Sequence, residues 1–149
     1  MPISIPRLSK SQTTRLLTSR LGLARLATVD RDGTPHVVPV WFSYVRGRIV
    51  VPSPSNTLKT RNIKERSAAS LVIDTYGGKL NAQGVLMQGK AHIIRGVRSR
   101  RLNRLVHTKY LGSKMIRRKK WRDFMAEDDA TIVLEPRKVI SWDFTKLKL

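Results

Sequence analysis

The chain has 149 residues, with 30 Lys or Arg against 10 Asp or Glu, a net charge of +20 and no cysteine. That length suits one compact domain over residues 1–149 with a real core, and the lack of cysteine excludes disulfides, thiolate metal sites and cysteine nucleophiles. No apolar run approaches a membrane span, and Met1-Pro-Ile-Ser-Ile-Pro6 lacks a signal-peptide core, so a cytoplasmic protein without a membrane partner is expected.

Residues 1–8 read as a proline-bounded tail. A first helix is predicted over 9–22, with Ser9 or Ser11 as its cap and Leu16, Leu17 and Leu21 on one face. Strands at 24–30 and 36–45 pair around an Asp32-Gly33 turn, and Arg46-Gly47 turns the chain into a strand at 48–53. Pro39 cannot donate to a ladder, which marks an edge or a break, and Trp41 and Phe42 point to opposite faces. A short helix at 57–66 and a strand at 68–75 follow, then a loop from Tyr76 to Gly84 and a long strand at 85–95. Residues 97–126 read as helical with a break near Gly112 and Ser113, and two last strands, 130–135 and 138–145, flank Pro136. Six or seven strands without regular βα alternation predict a mainly β (α+β) fold, an antiparallel barrel with peripheral helices.

The stretch Ser53-Pro-Ser-Asn-Thr-Leu-Lys-Thr-Arg-Asn62 carries the most chemistry. It joins the end of the β-branched run Ile49-Val-Val51 to a helix start, and places Ser53, Ser55, Thr57 and Lys59 at that junction. A helix N-terminus leaves amides unpaired and carries partial positive charge, which suits a phosphate; hydroxyls add donors and a lysine adds a full charge. The competing interpretation is an ordinary helix start, with Thr57 as cap and Lys59 in solvent.

The charge clusters at Arg95, Arg98, Arg100, Arg101 and Arg104, then at Lys114, Arg117, Arg118, Lys119 and Lys120, with Trp121 adjoining the second group. Such a balance attracts polyanions. No helix-turn-helix or zinc spacing accompanies it, so salt-sensitive, non-specific binding is expected before sequence recognition. His36, His92 and His107 are widely spaced, with no paired metal-ligand pattern, so no metal site is expected. Glu127-Asp128-Asp129 reads as a turn before the last strands, and no catalytic residue is assigned. That pattern fits an enzyme whose cofactor carries the redox chemistry, and equally a protein that only binds.

The segments "LATVDRDGTPHVVPVWF", "LKTRNI", "SLVID", "GKAHII" and "VISWDF" occur in this order over roughly residues 20–146. Their order and spacing resemble the flavin-binding split β-barrel superfamily related to pyridoxamine 5′-phosphate oxidase, which includes small flavin and deazaflavin oxidoreductases. The resemblance implies a six- to seven-stranded split barrel and a homodimer with cofactor in grooves at the subunit interface. It places Ser53, Thr57 and Lys59 on the family's phosphate-binding hydroxyls and lysine, the backbone around Val38, Pro39 and Val40 beside the flavin ring, and Trp142 near the cofactor of the partner subunit. True pyridoxamine phosphate oxidases place an arginine and a lysine where this chain has Val38 and Ser43. They also carry an arginine and a histidine beyond the tryptophan, where this chain stops at Leu149. Both departures weigh against vitamin B6 activity. The expectation is therefore an FMN-dependent oxidoreductase moving a hydride to or from a small organic substrate. An 8-hydroxy-5-deazaflavin coenzyme is the alternative cofactor, whose polyglutamate tail the basic surface would suit. A basic nucleic-acid-binding β-barrel and a flavin-binding protein without turnover are the rivals from other classes.

Overall fold

A computed structural model describes residues 4–20 and 22–148 of the chain. The elements in order are α1 (Lys10–Thr18), β1 (Ala24–Val29), β2 (Pro35–Val40), β3 (Ser43–Val45), β4 (Arg48–Ser53), α2 (Leu58–Glu65), β5 (Ala68–Tyr76), β6 (Ala82–Ile94), α3 (Val97–Met115), α4 (Lys119–Ala126), β7 (Ala130–Asp143) and a final 3₁₀ turn, Phe144–Lys146. The seven strands form one sheet in the order β2-β1-β5-β6-β7-β4-β3, with every pairing antiparallel. The edge strands β2 and β3 are consecutive in the chain and joined by Trp41 and Phe42 alone. A two-residue connection forces the sheet to curl until its edges approach, which makes the expected mainly β, split-barrel architecture. Among the described residues no helix is long and apolar enough to cross a membrane.

The strand count hides two compensating differences from the sequence expectation. The stretch 36–45 is not one strand: it breaks at Trp41 and Phe42 into β2 and β3. Phe42 turns into the barrel core, while Trp41 turns outward and stacks on Tyr110, ring centroids 4.9 Å apart and planes 6° from parallel. Conversely, the two strands expected either side of Pro136 are one continuous strand, β7. The ladder absorbs Pro136 because it lies opposite Gly89, where the β6–β7 register shifts. A Cβ on Gly89 would sit 2.0 Å from the Glu135 carbonyl oxygen, so glycine is what lets the strands approach there.

The helices follow local chemistry. Ser9 closes a capping box at the start of α1: its hydroxyl accepts from the Gln12 amide at 3.2 Å, and Gln12 Oε1 accepts from the Ser9 amide at 2.9 Å. The helix stops at Thr18 rather than residue 22, because Ser19 turns extended; Leu16 and Leu17 are buried as expected, and Leu21 lies outside the described residues. The expected loop 76–84 is shorter, since β6 already begins at Ala82. Helix α3 is interrupted at Gly112, which adopts φ +79° and ψ 159°, and the chain turns again before α4.

Inside the curl, Leu26, Phe42, Ile49, Leu71, Ile73, Val85, Ile132 and Leu134 are fully buried, each contributing about 1.5–3 kcal/mol of transfer free energy. Outside it, α3 lies against β4 and β7. Strand alternation sends Val50 and Val133 to that outer face, where they pack with Val106. So β4 and the first half of β7 are covered on both faces, and the pairing of Ser53 with Ala130 places the loop before β7 beside the start of α2.

Candidate functional site

The junction of β4 and α2 is built around one carbonyl. Pro54 ends the strand, and the hydroxyls of Ser53, Thr57 and Thr60 all donate to its oxygen, at 3.2, 3.0 and 3.0 Å. The same three hydroxyls lie 2.9–3.1 Å from one another. Ser53 and Thr60 are fully buried in this knot, and Thr57 is half-buried above them. Thr57 occupies the N-cap position of α2 with extended backbone, but its hydroxyl makes no capping bond. The first turn of α2 is therefore capped by no side chain and contains no acidic residue. Its partial positive charge stays available to an anion.

Lys59 sits in that first turn, half-buried, with Nζ 3.4 Å from Thr57 Oγ1. Burial pushes its pKa below the ordinary lysine value, while the charge of Asp128 pulls it back up. The structure thus brings Thr57 and Lys59 together, with Ser53 beneath them. Ser55 faces elsewhere: its amide and hydroxyl donate to Asp129 Oδ1 and Oδ2 at 2.6 and 2.7 Å, and Arg95 Nη2 adds a contact of 2.8 Å to Oδ2. The hydroxyl of Ser55, then its amide, and less strongly the Arg95 charge, hold the Asp129 carboxyl below its usual range.

The other expected residues stand on separate parts of the sheet. Val38, Pro39 and Val40 lie on β2, an edge strand, in line with the edge-or-break expectation for Pro39. Val40 is buried, Val38 is half-buried against the barrel core and Pro39 is exposed. Trp142 lies on β7, with three strands between it and β2 in the sheet. Its ring covers Gly84 of β6, where a Cβ would meet Trp142 Cζ2 at 2.1 Å.

One group of polar residues escaped the sequence reading. Ser99, Asn103 and His107 recur every four residues, forming one ridge on the buried face of α3. His107 Nε2 donates to Asp128 Oδ2 at 2.8 Å. Asn103 Nδ2 donates to the carbonyls of Asp128 and Ala130 at 2.9 and 3.1 Å, and Asn103 Oδ1 accepts from Thr131 at 2.6 Å. The acidic run expected to form only a turn is thus the meeting point of α2, α3 and β7: Asp128 answers His107 and the Lys59 charge, and Asp129 answers Ser55 and Arg95. The available signal was the i, i+4, i+8 spacing of hydrogen-bonding residues on a helix otherwise dominated by arginine. Among the described residues, no buried side-chain nitrogen or oxygen lacks a partner, and no cluster of His, Cys, Asp or Glu could hold a metal.

Comparison with known families decides what kind of barrel this is. The family described as pyridoxamine 5′-phosphate oxidase matches residues 12–143. The chain belongs to that family. Among solved structures, a conserved hypothetical protein from Mycobacterium tuberculosis is similar at 21% identity, covering 97% of this chain and 90% of its own, with a TM-score of 0.81. An F420 reductase is similar at 19% identity, covering 89% of this chain and 98% of its own, with a TM-score of 0.67. An FAD-binding protein from Mesorhizobium loti is similar at 19% identity, 92% and 96% coverage, and a TM-score of 0.67. These likenesses establish the fold. No curated protein matches the chain. Within the pyridoxamine 5′-phosphate oxidase family the donor set at α2 fits the phosphate of a flavin-type cofactor: a helix start without a side-chain cap, a hydroxyl at its rim and a half-buried ammonium.

Proposed function

We propose that the chain is a flavin-type oxidoreductase that binds FMN through the start of α2 and moves a hydride to or from a small organic substrate. The observation that carries this is the half-buried Lys59 ammonium set in the uncapped first turn of α2, in a chain of this family. In this reading Lys59 supplies the full charge, Thr57 a hydroxyl and the first α2 amides the remaining donors, while buried Ser53 and Thr60 hold the Pro54 turn in shape. The edge strand around Val38, Pro39 and Val40 would present backbone to the ring. A bound flavin would itself supply the hydride chemistry; the protein's part is to bind it, orient it and shield it from water.

The reading includes a homodimer. The outer face of the sheet carries an apolar row in register, Pro39, Val72, Leu86 and Ile140, crossed by Arg25, and Val37 beside it is 59% exposed. An apolar sheet face of this kind is normally covered, and in this reading a second copy of the chain covers it. Sedimentation should give one species near twice the 17.0 kDa chain mass; a monomer that still binds flavin tightly would remove the shared site.

A deazaflavin is the second reading of the cofactor, supported by the likeness to an F420 reductase and by the basic surface of α3 and α4. Extraction of bound cofactor from purified protein, followed by mass spectrometry, separates the two. Recovery of neither after reconstitution with each would refute the cofactor assignment, and turnover with a reduced cofactor separates an enzyme from a carrier.

A further inference from the structure

Between α3 and α4 lies a cavity of about 620 Å³, within the size range of small-molecule sites. It is not the α2 site: Lys59, Thr57 and Ser53 do not line it. We propose that this cavity binds a small organic anion, its acid group met by Arg100, Arg101 and Arg104 and its apolar body by Val97, Ile116 and Met125.

The geometry follows from helical spacing. Val97, Arg100, Arg101 and Arg104 recur at i, i+3, i+4 and i+7, so one face of α3 turns them all towards α4. Arg98, on another face, does not line the cavity. At the two ends of the cavity Arg95 is already paired with Asp129, and His107 is hydrogen-bonded to Asp128. Arg100, Arg101 and Arg104 form no salt bridge among the described residues. Three guanidiniums crowded on one helical face repel one another, and a shared anion relieves that repulsion. The start of α3 opens on the same space: Gly96, at φ +85°, caps it without a side chain. Opposite, α4 and the turn before it supply apolar groups, Ile116 buried and Met125 half-buried, while the two carboxylates that line the cavity, Asp128 and Asp129, are held by His107 and by Ser55 and Arg95. The floor is polar and rigid, because Asn103 and His107 are held by Asp128. Charge on one wall and apolar surface on the other select an amphipathic acid over an inorganic ion or a neutral molecule.

The test uses the full chain and 8-anilinonaphthalene-1-sulfonate, an apolar sulfonate that brightens on binding. Fluorescence titration should show saturable binding of one dye per chain, unchanged by saturating FMN and by Lys59→Ala. The double variant Arg100→Ala, Arg104→Ala should weaken it on the order of tenfold or more; both positions are exposed and helical, and circular dichroism checks that the fold persists. The double variant Lys10→Ala, Lys90→Ala removes the same charge from exposed positions outside the cavity and should leave binding intact. Equal weakening by both pairs would reduce the effect to net charge and overturn the proposal. So would unchanged binding in the arginine variant. Displacement by FMN together with loss in Lys59→Ala would place the dye in the α2 site and overturn the proposal while leaving the cofactor reading standing.

Discussion

Replacement of Lys59 by methionine isolates the charge at the α2 site. Methionine keeps most of the apolar stem that half-burial requires and removes only the ammonium. The local cost should be small. Thr57 loses a 3.4 Å contact but keeps its bonds to the Pro54 carbonyl and Thr60, and Asp128 keeps His107. Burial already disfavours the charged amine, as its lowered pKa shows, so losing the charge should move stability by under about 1 kcal/mol. The cofactor has more to lose. A hydrogen bond to a charged group is worth about 1.5–3 kcal/mol, which corresponds to roughly ten- to a hundredfold in dissociation constant. Flavin fluorescence titration reads this directly.

The pH dependence supplies a second signature. Because the folded pKa of Lys59 is lowered, its charge is lost at a lower pH than that of an exposed lysine, and phosphate affinity should fall correspondingly early on the alkaline side. Lys59→Met should lack that limb while the fold, followed by circular dichroism, persists. An unchanged dissociation constant in a folded variant would refute the role of Lys59 and with it the placement of the phosphate on α2.

Lys109 makes a separate prediction about stability. Its Nζ donates to the Phe42 carbonyl at 2.9 Å and stands 3.8 Å from the Phe42 ring centre, and burial lowers its pKa from 10.5 to about 8. Between those values the unfolded chain binds the proton and the folded chain does not, so stability rises as pH climbs through that window and the full penalty applies below it; urea titrations should show wild type gaining about 1–2 kcal/mol relative to Lys109→Met, after allowance for partial solvent exposure, and parallel curves would refute it. Gly89→Ala should lower the urea midpoint by the equivalent of about 1–3 kcal/mol, because the new Cβ meets a backbone oxygen at 2.0 Å; an unshifted midpoint would show that the β6–β7 bulge does not need glycine. DNA binding should be steep in salt and indifferent to sequence, since the stretch from Arg95 to Arg122 holds twelve Lys or Arg and no Asp or Glu; a preference of about a thousandfold for one duplex at about 0.15 M salt would promote nucleic-acid recognition over the cofactor reading.

How much of this was legible in the sequence depended on whether the determining contact was local. Strand β4, the Asp32-Gly33 and Arg46-Gly47 turns and the start of α2 were readable, because residue type and neighbours settle them: Arg46, Gly47 and Gly33 all take positive φ. The break at Trp41 and Phe42 was not. Alternation sends Trp41 and Phe42 to opposite faces, but nothing in Pro-Val-Trp-Phe-Ser says that the strand breaks there or that Trp41 stacks on a tyrosine 69 positions later while Phe42 enters the barrel. Pro136 misled for the mirror reason, since its tolerance depends on Gly89 across the sheet.

The same division runs through the site. Thr57 and Lys59 could be picked out from a strand–helix junction. The partners of the acidic run could not, because they come from three distant elements. Sequence gives Glu127-Asp128-Asp129 as a polar turn, yet the fold hands one carboxylate to His107 and Lys59 and the next to Ser55 and Arg95. That arrangement has a consequence for binding. Asp129 already accepts from the Ser55 amide and hydroxyl, donors of the kind an incoming phosphate seeks, so on the proposed reading Thr57, Lys59 and the uncapped first turn of α2 would be left to hold the cofactor phosphate. A site so reduced would rely on its one half-buried ammonium more than a site with several cations does, so the charge at Lys59, and not the hydroxyls around it, should set the affinity that the Lys59→Met titration reads.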